Sequence, residues 1–252
     1  MTWTNDSDRV RKVIVIPTYL ETESIKNLLS QLVPRLSTDV AIVICDDSGV
    51  DLRDYYTNLA SNLMRVEKKR IDVSFSDIKS GRGHAVRRGL RVGMESFPKA
   101  EYFVECDADE SHAVKDILKI TELKDRIDFV IGSRYLKESE IIGWPLSRRA
   151  FSRVLNILIP KLLKLNTTDA TNGLRRYSRR AVERIVESNF RTSGFIVLSE
   201  IAVILKSHNI LPSDLPTKFV NRQLGKSTVN VKEIIRSASG LLKLCNLQYG
   251  RK

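Results

Sequence analysis

Two short segments, residues 12–17 (KVIVIP) and 40–45 (VAIVIC), are apolar almost without interruption. A strand with one wet face alternates polar and apolar residues, so an unbroken apolar run belongs to a strand covered on both faces. Between them, residues 23–36 place Ile25, Leu28, Leu29, Leu32 and Leu36 at helical spacing. The alternation goes on. Helical patterns at 52–63, 83–94 and 114–123 are interleaved with strand patterns at 71–75, 102–106 and 129–132. The expected fold class is α/β, a mostly parallel sheet flanked by helices.

The carboxyl ends of these strands carry the unusual residues: Pro17-Thr18-Tyr19, Asp46-Asp47, Asp107-Ala108-Asp109 and Ser133-Arg134. Open α/β sheets bind ligands at that edge. Two carboxylates one residue apart after a strand suit a hard divalent cation completed by substrate phosphates; the plain alternative is a turn with solvated acids. Asp46-Asp47 offers acceptors to ribose hydroxyls or base donors, or simply turns the chain with Gly49. Gly81-Arg82-Gly83-His84 opens a helix whose backbone N–H groups could face an anion. His84 and His112 are read as packing or hydrogen-bonding residues. Arg134, Arg148, Arg149, Arg175, Arg176 and Arg222 are the arginines proposed for phosphate, whose geometry a guanidinium fork matches. Asp169 is either a helix cap or an acid placed at an acceptor.

The second half departs from the alternation. Residues 147–165 form a basic amphipathic pattern with Pro160 inside it, 179–187 and 198–206 are two further helices, and 210–220 is extended. A last helix is expected over 231–244. The domain reading is residues 1–230 as one unit, including 147–165, with 231–252 as a basic helical tail. Lys+Arg number 42 against 30 Asp+Glu, so the net charge is +12. That excess suits nucleic acid, an anionic membrane surface or phosphorylated substrates. No aromatic–basic interleaving or known motif supports nucleic acid. No apolar stretch reaches the roughly 20 residues of a membrane span, and the first residues lack a signal-peptide core, so a cytoplasmic location is expected. Cys45, Cys106 and Cys245 form no metal-binding spacing and are expected to be reduced thiols.

Taken in order, these motifs resemble the inverting family 2 glycosyltransferases of the GT-A fold, above all dolichyl-phosphate mannose synthases and polyprenyl-phosphate glycosyltransferases. The carriers are Val15-Ile16-Pro17-Thr18-Tyr19-Leu20-Glu21, Ile44-Cys45-Asp46-Asp47, the glycine-rich run from Gly81 to Gly89, Asp107-Ala108-Asp109 and Gly132-Ser133-Arg134-Tyr135. Gly143-Trp144, Arg148-Arg149, Asp169 to Arg175 and Arg222-Gln223-Leu224-Gly225-Lys226 complete the series. The resemblance implies that Pro17, Tyr19 and Glu21 begin the nucleotide site. It implies that Cys45 and Asp47 hold base and ribose, and that Asp107 and Asp109 bind Mg²⁺ or Mn²⁺, with Ala108 lining the nucleotide. It places Ser133, Arg134, Arg148 and Arg149 at the acceptor phosphate, and Arg222 with Lys226 at the donor phosphates. Three departures stand out: Ser48-Gly49 replaces Gly-Ser, Glu110 replaces leucine, and Thr228 occupies the position of the family's late lysine, leaving Lys226 two residues away.

The implied reaction is attack of a dolichyl or polyprenyl phosphate on the anomeric carbon of a nucleotide sugar, GDP-mannose or UDP-glucose. Such an acceptor stays in the bilayer, so peripheral contact with the membrane or a membrane-anchoring subunit is required. The basic segment 148–165 has the composition of an interfacial helix; a core helix with a solvated basic face is the alternative. Competing functions are transfer to another acceptor, such as a growing glycan, and nucleotide-sugar binding without catalysis.

Overall fold

The computed structural model describes residues 7–221 and 231–249, the side chains of 231–235 and 247–249 excepted. Strands β1 (Lys12–Thr18), β2 (Val40–Asp46) and β3 (Ile71–Phe75) alternate with helices α1 (Thr22–Leu32), α2 (Arg53–Glu67) and α3 (Arg82–Ser96). Then come β4 (Tyr102–Glu105), α4 (Val114–Thr121) and β5 (Phe129–Ser133). These follow the expected alternation within a few residues. Helix α1 stops short of the expected 36 because Pro34 forces a tighter turn at Val33–Arg35.

The main sheet has seven strands in the order β3-β2-β1-β4-β7-β5-β8. Along β1 and β2 the side chains divide cleanly. Val13, Val15, Ala41, Val43 and Cys45 pack into one core, and Ile14, Ile16, Ile42 and Ile44 into the other. That is why both runs are apolar throughout: period-two alternation sends each residue to a different but equally dry face. Each valine and isoleucine among them contributes roughly 1.5–3 kcal/mol on burial. Pro17 pairs with Cys45 and Thr18 with Asp46, so the strand ends align at one rim.

The second half adds β6 (Glu140–Ile142), α5 (Leu146–Leu163), β7 (Arg175–Ser178), α6 (Arg179–Glu187), α7 (Val197–Ser207), β8 (Ser213–Pro216), β9 (Lys218–Val220) and α8 (Val231–Tyr249). Strand β7 has no counterpart in the sequence reading. It runs antiparallel between β4 and β5 and begins Arg175-Arg176, which no apolar pattern flags. Both arginines are fully buried. Arg175 donates to the carbonyls of Asn172, Leu198 and Ala170, and Arg176 to those of Leu123 and Asp125. They are structural clamps, and the expectation that they meet phosphate is corrected: the terminal guanidinium nitrogens of both donate to backbone carbonyls.

Helix α5 turns Asn156, Ile159 and Leu163 inward and leaves Leu146, Phe151, Val154, Ile157, Leu158 and Leu162 exposed. Its outer face is therefore apolar, edged by Arg149, Arg153, Lys161 and Lys164. Helix α8 lies against α5 and seats Leu244 in the core. Among the described residues no helix is long and apolar enough to cross a membrane.

Candidate active site

Asp107 and Asp109 follow β4, at the rim where the parallel strands end. Asp107 is ion-paired with Arg82, the first residue of α3. The same guanidinium donates to Glu105 at 2.6 Å, and Glu105 also accepts from the Tyr177 hydroxyl at 2.9 Å. Glu105 is fully buried. Burial works against charge on Arg82, but Asp107 and Glu105 outweigh it and hold the guanidinium protonated well beyond its ordinary range. Gly173 closes against this group. A Cβ there would stand 2.5 Å from Arg82 Nη2 and 3.0 Å from both carboxylate oxygens of Asp107.

The backbone N–H of Asp107 donates to His112 Nδ1 at 3.2 Å, so that nitrogen carries no proton. Its Nε2–H then faces Asn172 Oδ1 at 2.9 Å. His112 thus fixes the turn that carries both aspartates, as the packing role expected of it requires. Asp109 accepts from the Ser111 backbone N–H at 3.1 Å.

Arg134 directly follows β5 and is only 8% exposed. Its Nε and Nη2 grip Asp169 at 2.7 and 2.8 Å, and Nη2 also reaches Thr171 at 2.7 Å. Trp144 and Phe219 stand 5.4 and 5.3 Å from the guanidinium carbon. Arg148 stacks on Trp144 at 4.1 Å and donates to Asn221 at 3.0 Å. Both oxygens of Asp169 are engaged by Arg134, so Asp169 orients that arginine; it is neither a helix cap nor an acid facing a ligand.

A cavity of about 290 Å³ joins these parts. Arg82, Asp107 and Asp109 line one end, Arg134 and Arg148 follow, and Phe151, Leu155, Ile159, Phe195 and Leu241 form an apolar wall between α5 and α8. Four residues expected from the sequence therefore meet here: Asp107, Asp109, Arg134 and Arg148. Arg82, Trp144 and Gly173 join them without having been assigned roles. The Gly-Arg-Gly turn was the one available signal for Arg82, and it pointed to backbone N–H groups, not to the side chain.

The other expected residues lie elsewhere. Pro17 and Cys45 are buried at the rim, and the Cys45 thiol packs beneath Gly89 of α3, where burial pushes it up to about 12. Ala108 is buried in the core under α1 and α4. Asp47 accepts from the backbone N–H groups of Ser80 and Gly81, at 2.9 and 2.7 Å, and so anchors the turn that starts α3. Tyr19 is exposed with Lys79 Nζ 3.5 Å over its ring, and Glu21 is half-buried beside it. Ser133 bonds Thr168 at 2.6 Å, and Arg149 donates to the Ile141 carbonyl at the surface. Arg222, Lys226 and Thr228 lie outside the described residues.

Comparison with known proteins bears on the family and the fold. The family model described as glycosyl transferase family 2 matches residues 13–186. Polyprenol monophosphomannose synthase from Mycolicibacterium smegmatis is 28% identical over 225 residues, 89% of this chain and 83% of that protein. Undecaprenyl-phosphate mannosyltransferase from Micrococcus luteus is 28% identical over 221 residues, 88% of each. Among solved structures, a mannosyltransferase from Pyrobaculum calidifontis in complex with GDP-Man and Mn²⁺ aligns with a TM-score of 0.61 and 16% identity, over 94% of this chain and 66% of that one. Glucosyl-3-phosphoglycerate synthase from Mycobacterium tuberculosis, with Mn²⁺, UDP-glucose and glycerol 3-phosphate, aligns with a TM-score of 0.56 and 15% identity over 94% and 80%. The fold is GT-A, and with its family model covering most of the sequence this chain belongs to glycosyl transferase family 2 and is a glycosyltransferase.

Proposed function

We propose that the protein transfers mannose from GDP-mannose to a polyprenyl or dolichyl phosphate at a membrane surface. The observation that carries this reading is the shape of the cavity. One end is carboxylate and guanidinium, and most of the rest is an apolar wall suited to a prenyl chain more than to a sugar. The names of the two relatives point the same way.

In this reading Asp107 and Asp109 hold Mg²⁺ or Mn²⁺. Their oxygens are the hard donors such a cation takes, and the absence of a side chain at Gly173 lets the backbone approach Asp107 and Arg82 closely without displacing them. When bound, the cation supplies positive charge against the departing nucleoside diphosphate. Arg134, locked by Asp169, positions the acceptor phosphate together with Arg148. A phosphate monoester with a second pKa of about 6 is already an anion at neutral pH, so no base need take a proton from it. A phosphate oxygen forms the new bond to the anomeric carbon as the bond to the nucleoside diphosphate breaks on the opposite side. Arg222 and Lys226 belong to the donor-phosphate contacts. The apolar outer face of α5, edged with lysine and arginine, rests on the bilayer and feeds the cavity mouth. Each basic residue there adds about 1 kcal/mol on anionic lipid.

The test is transfer of labelled sugar from GDP-mannose and from UDP-glucose to a polyprenyl phosphate, with Mn²⁺, with Mg²⁺ and with EDTA. Metal-dependent label from GDP-mannose in the organic phase is expected. Label only from UDP-glucose would overturn the donor, and label only in water-soluble products would overturn the acceptor.

A further inference from the structure

The sequence assigns nothing to the Arg82 side chain, yet in the cavity it is held through both its backbone and its guanidinium. Its backbone is fixed by Asp47, whose carboxylate takes the N–H groups of Ser80 and Gly81. Its guanidinium is fixed by Glu105, fully buried and braced by Tyr177. A buried carboxylate that loses its cation is strongly destabilised, so Glu105 keeps Arg82 in place. From that position Arg82 also pairs with Asp107. Among the described residues, moreover, no group of three or more His, Cys, Asp or Glu is placed to hold a metal ion.

We infer that Arg82 makes divalent-metal binding at Asp107 conditional on a bound diphosphate; this rests on the reading of Asp107 and Asp109 as the metal-holding acids. Without a diphosphate, an arriving cation meets a fixed positive charge and a carboxylate already engaged by it, and like charges at this distance repel. A diphosphate changes both terms. Its oxygens complete the metal's ligands and give the guanidinium a second anionic partner. Metal and diphosphate therefore bind cooperatively, each tightening the other by the same factor. The arrangement keeps the site from holding a bare cation.

The experiment measures Mn²⁺ binding to the full chain by the loss of the free-ion EPR signal, with and without GDP. For the natural sequence, GDP is expected to tighten Mn²⁺ by about 5- to 150-fold, the usual span of such coupling. The variant carrying Arg82→Met and Glu105→Gln removes one charge of each sign, so the site's net charge is kept while the fixed guanidinium and its hold on Asp107 are lost. It is expected to bind Mn²⁺ without GDP about tenfold more tightly and to show a correspondingly smaller GDP effect, a fraction of the usual coupling. Glu105→Gln alone leaves Arg82 to Asp107 and should weaken Mn²⁺ in the absence of GDP. Arg82→Lys, which retains the charge, should retain the coupling. Natural-sequence affinities in both the double variant and the single Glu105→Gln variant, each shown to melt cooperatively, would overturn the inference while leaving the metal site standing. No Mn²⁺ binding by the natural sequence even with GDP would overturn the metal site itself, and the inference with it.

Discussion

Asp169→Asn tests whether the acceptor arginine is held by a buried charge pair. Arg134 has five N–H donors. Nε and Nη2 are committed to Asp169 and Thr171, which leaves Nη1 as the nitrogen that can serve a ligand. An asparagine offers one acceptor oxygen and presents its NH₂ to the guanidinium, so one of the two short bonds becomes a donor–donor contact. The buried arginine also loses its counter-charge. Breaking such a pair costs about 3–5 kcal/mol, and Arg134 is too buried for water to screen the loss. For a chain of this size about 3 kcal/mol corresponds to a melting point lower by about 6–12 °C. A guanidinium displaced by about 1 Å costs on the order of 10²-fold in rate, expected in kcat and in KM for the acceptor. GDP affinity should stay unchanged, because Asp169 touches only the acceptor side. Thermal unfolding and steady-state transfer to a polyprenyl phosphate report the two effects separately. A variant melting within about 2 °C of the natural protein, less than 1 kcal/mol on that scale, and keeping its kcat, would refute the argument that Asp169 holds Arg134.

Three further outcomes are expected. Gly173→Ala drives a methyl group into Arg82 and Asp107, and should weaken Mn²⁺ binding in the presence of GDP by about tenfold while costing about 1–3 kcal/mol in stability, measured by EPR titration and by melting. Asp46 is pushed above the ordinary carboxyl range by burial, and its Oδ2 has no hydrogen-bond partner. The folded state therefore binds its proton more tightly than the unfolded state does, so its contribution is full below the unfolded value of 3.8 and is lost as pH rises through the folded one. Asp46→Asn should accordingly stabilise the protein at pH 7 and make little difference near pH 3, seen as a melting-point gain confined to neutral buffer. Ile157→Asp places a charge on the exposed apolar face of α5; it should leave stability within about 0.5 kcal/mol and abolish co-sedimentation with anionic vesicles. Retained vesicle binding would remove α5 from the membrane contact.

Much of the fold is legible along the chain because it rests on local periodicity. The runs around Val13 and Val43 are apolar on both faces because each face meets its own layer of helices. Strand β7 escaped that logic. Arg175 and Arg176 enter the sheet as buried charges, satisfied by carbonyls from segments distant in sequence, and no local pattern announces such partners. Asp107 and Asp109 were legible as a strand-end pair. That Asp47 spends its carboxylate on the turn before α3 was not, because the turn lies 33 residues further along the chain.

By itself the sequence marked, through local pattern, the alternating strands and helices of the first half and a strand-end rim carrying Asp107, Asp109 and Arg134, while Arg148 was placed with them only through the family resemblance. The rim follows from spacing and from the rule that parallel sheets bind ligands at their carboxyl ends. Which charges face the cavity and which are spent within the fold depends on three-dimensional packing. A residue's type fixes its valence and its hydrogen-bonding capacity. Its direction is set by strand register and by partners far away in sequence. So Arg134 and Arg82 remain at the cavity, each held by a carboxylate, while Arg175 and Arg176 disappear into the backbone of the sheet.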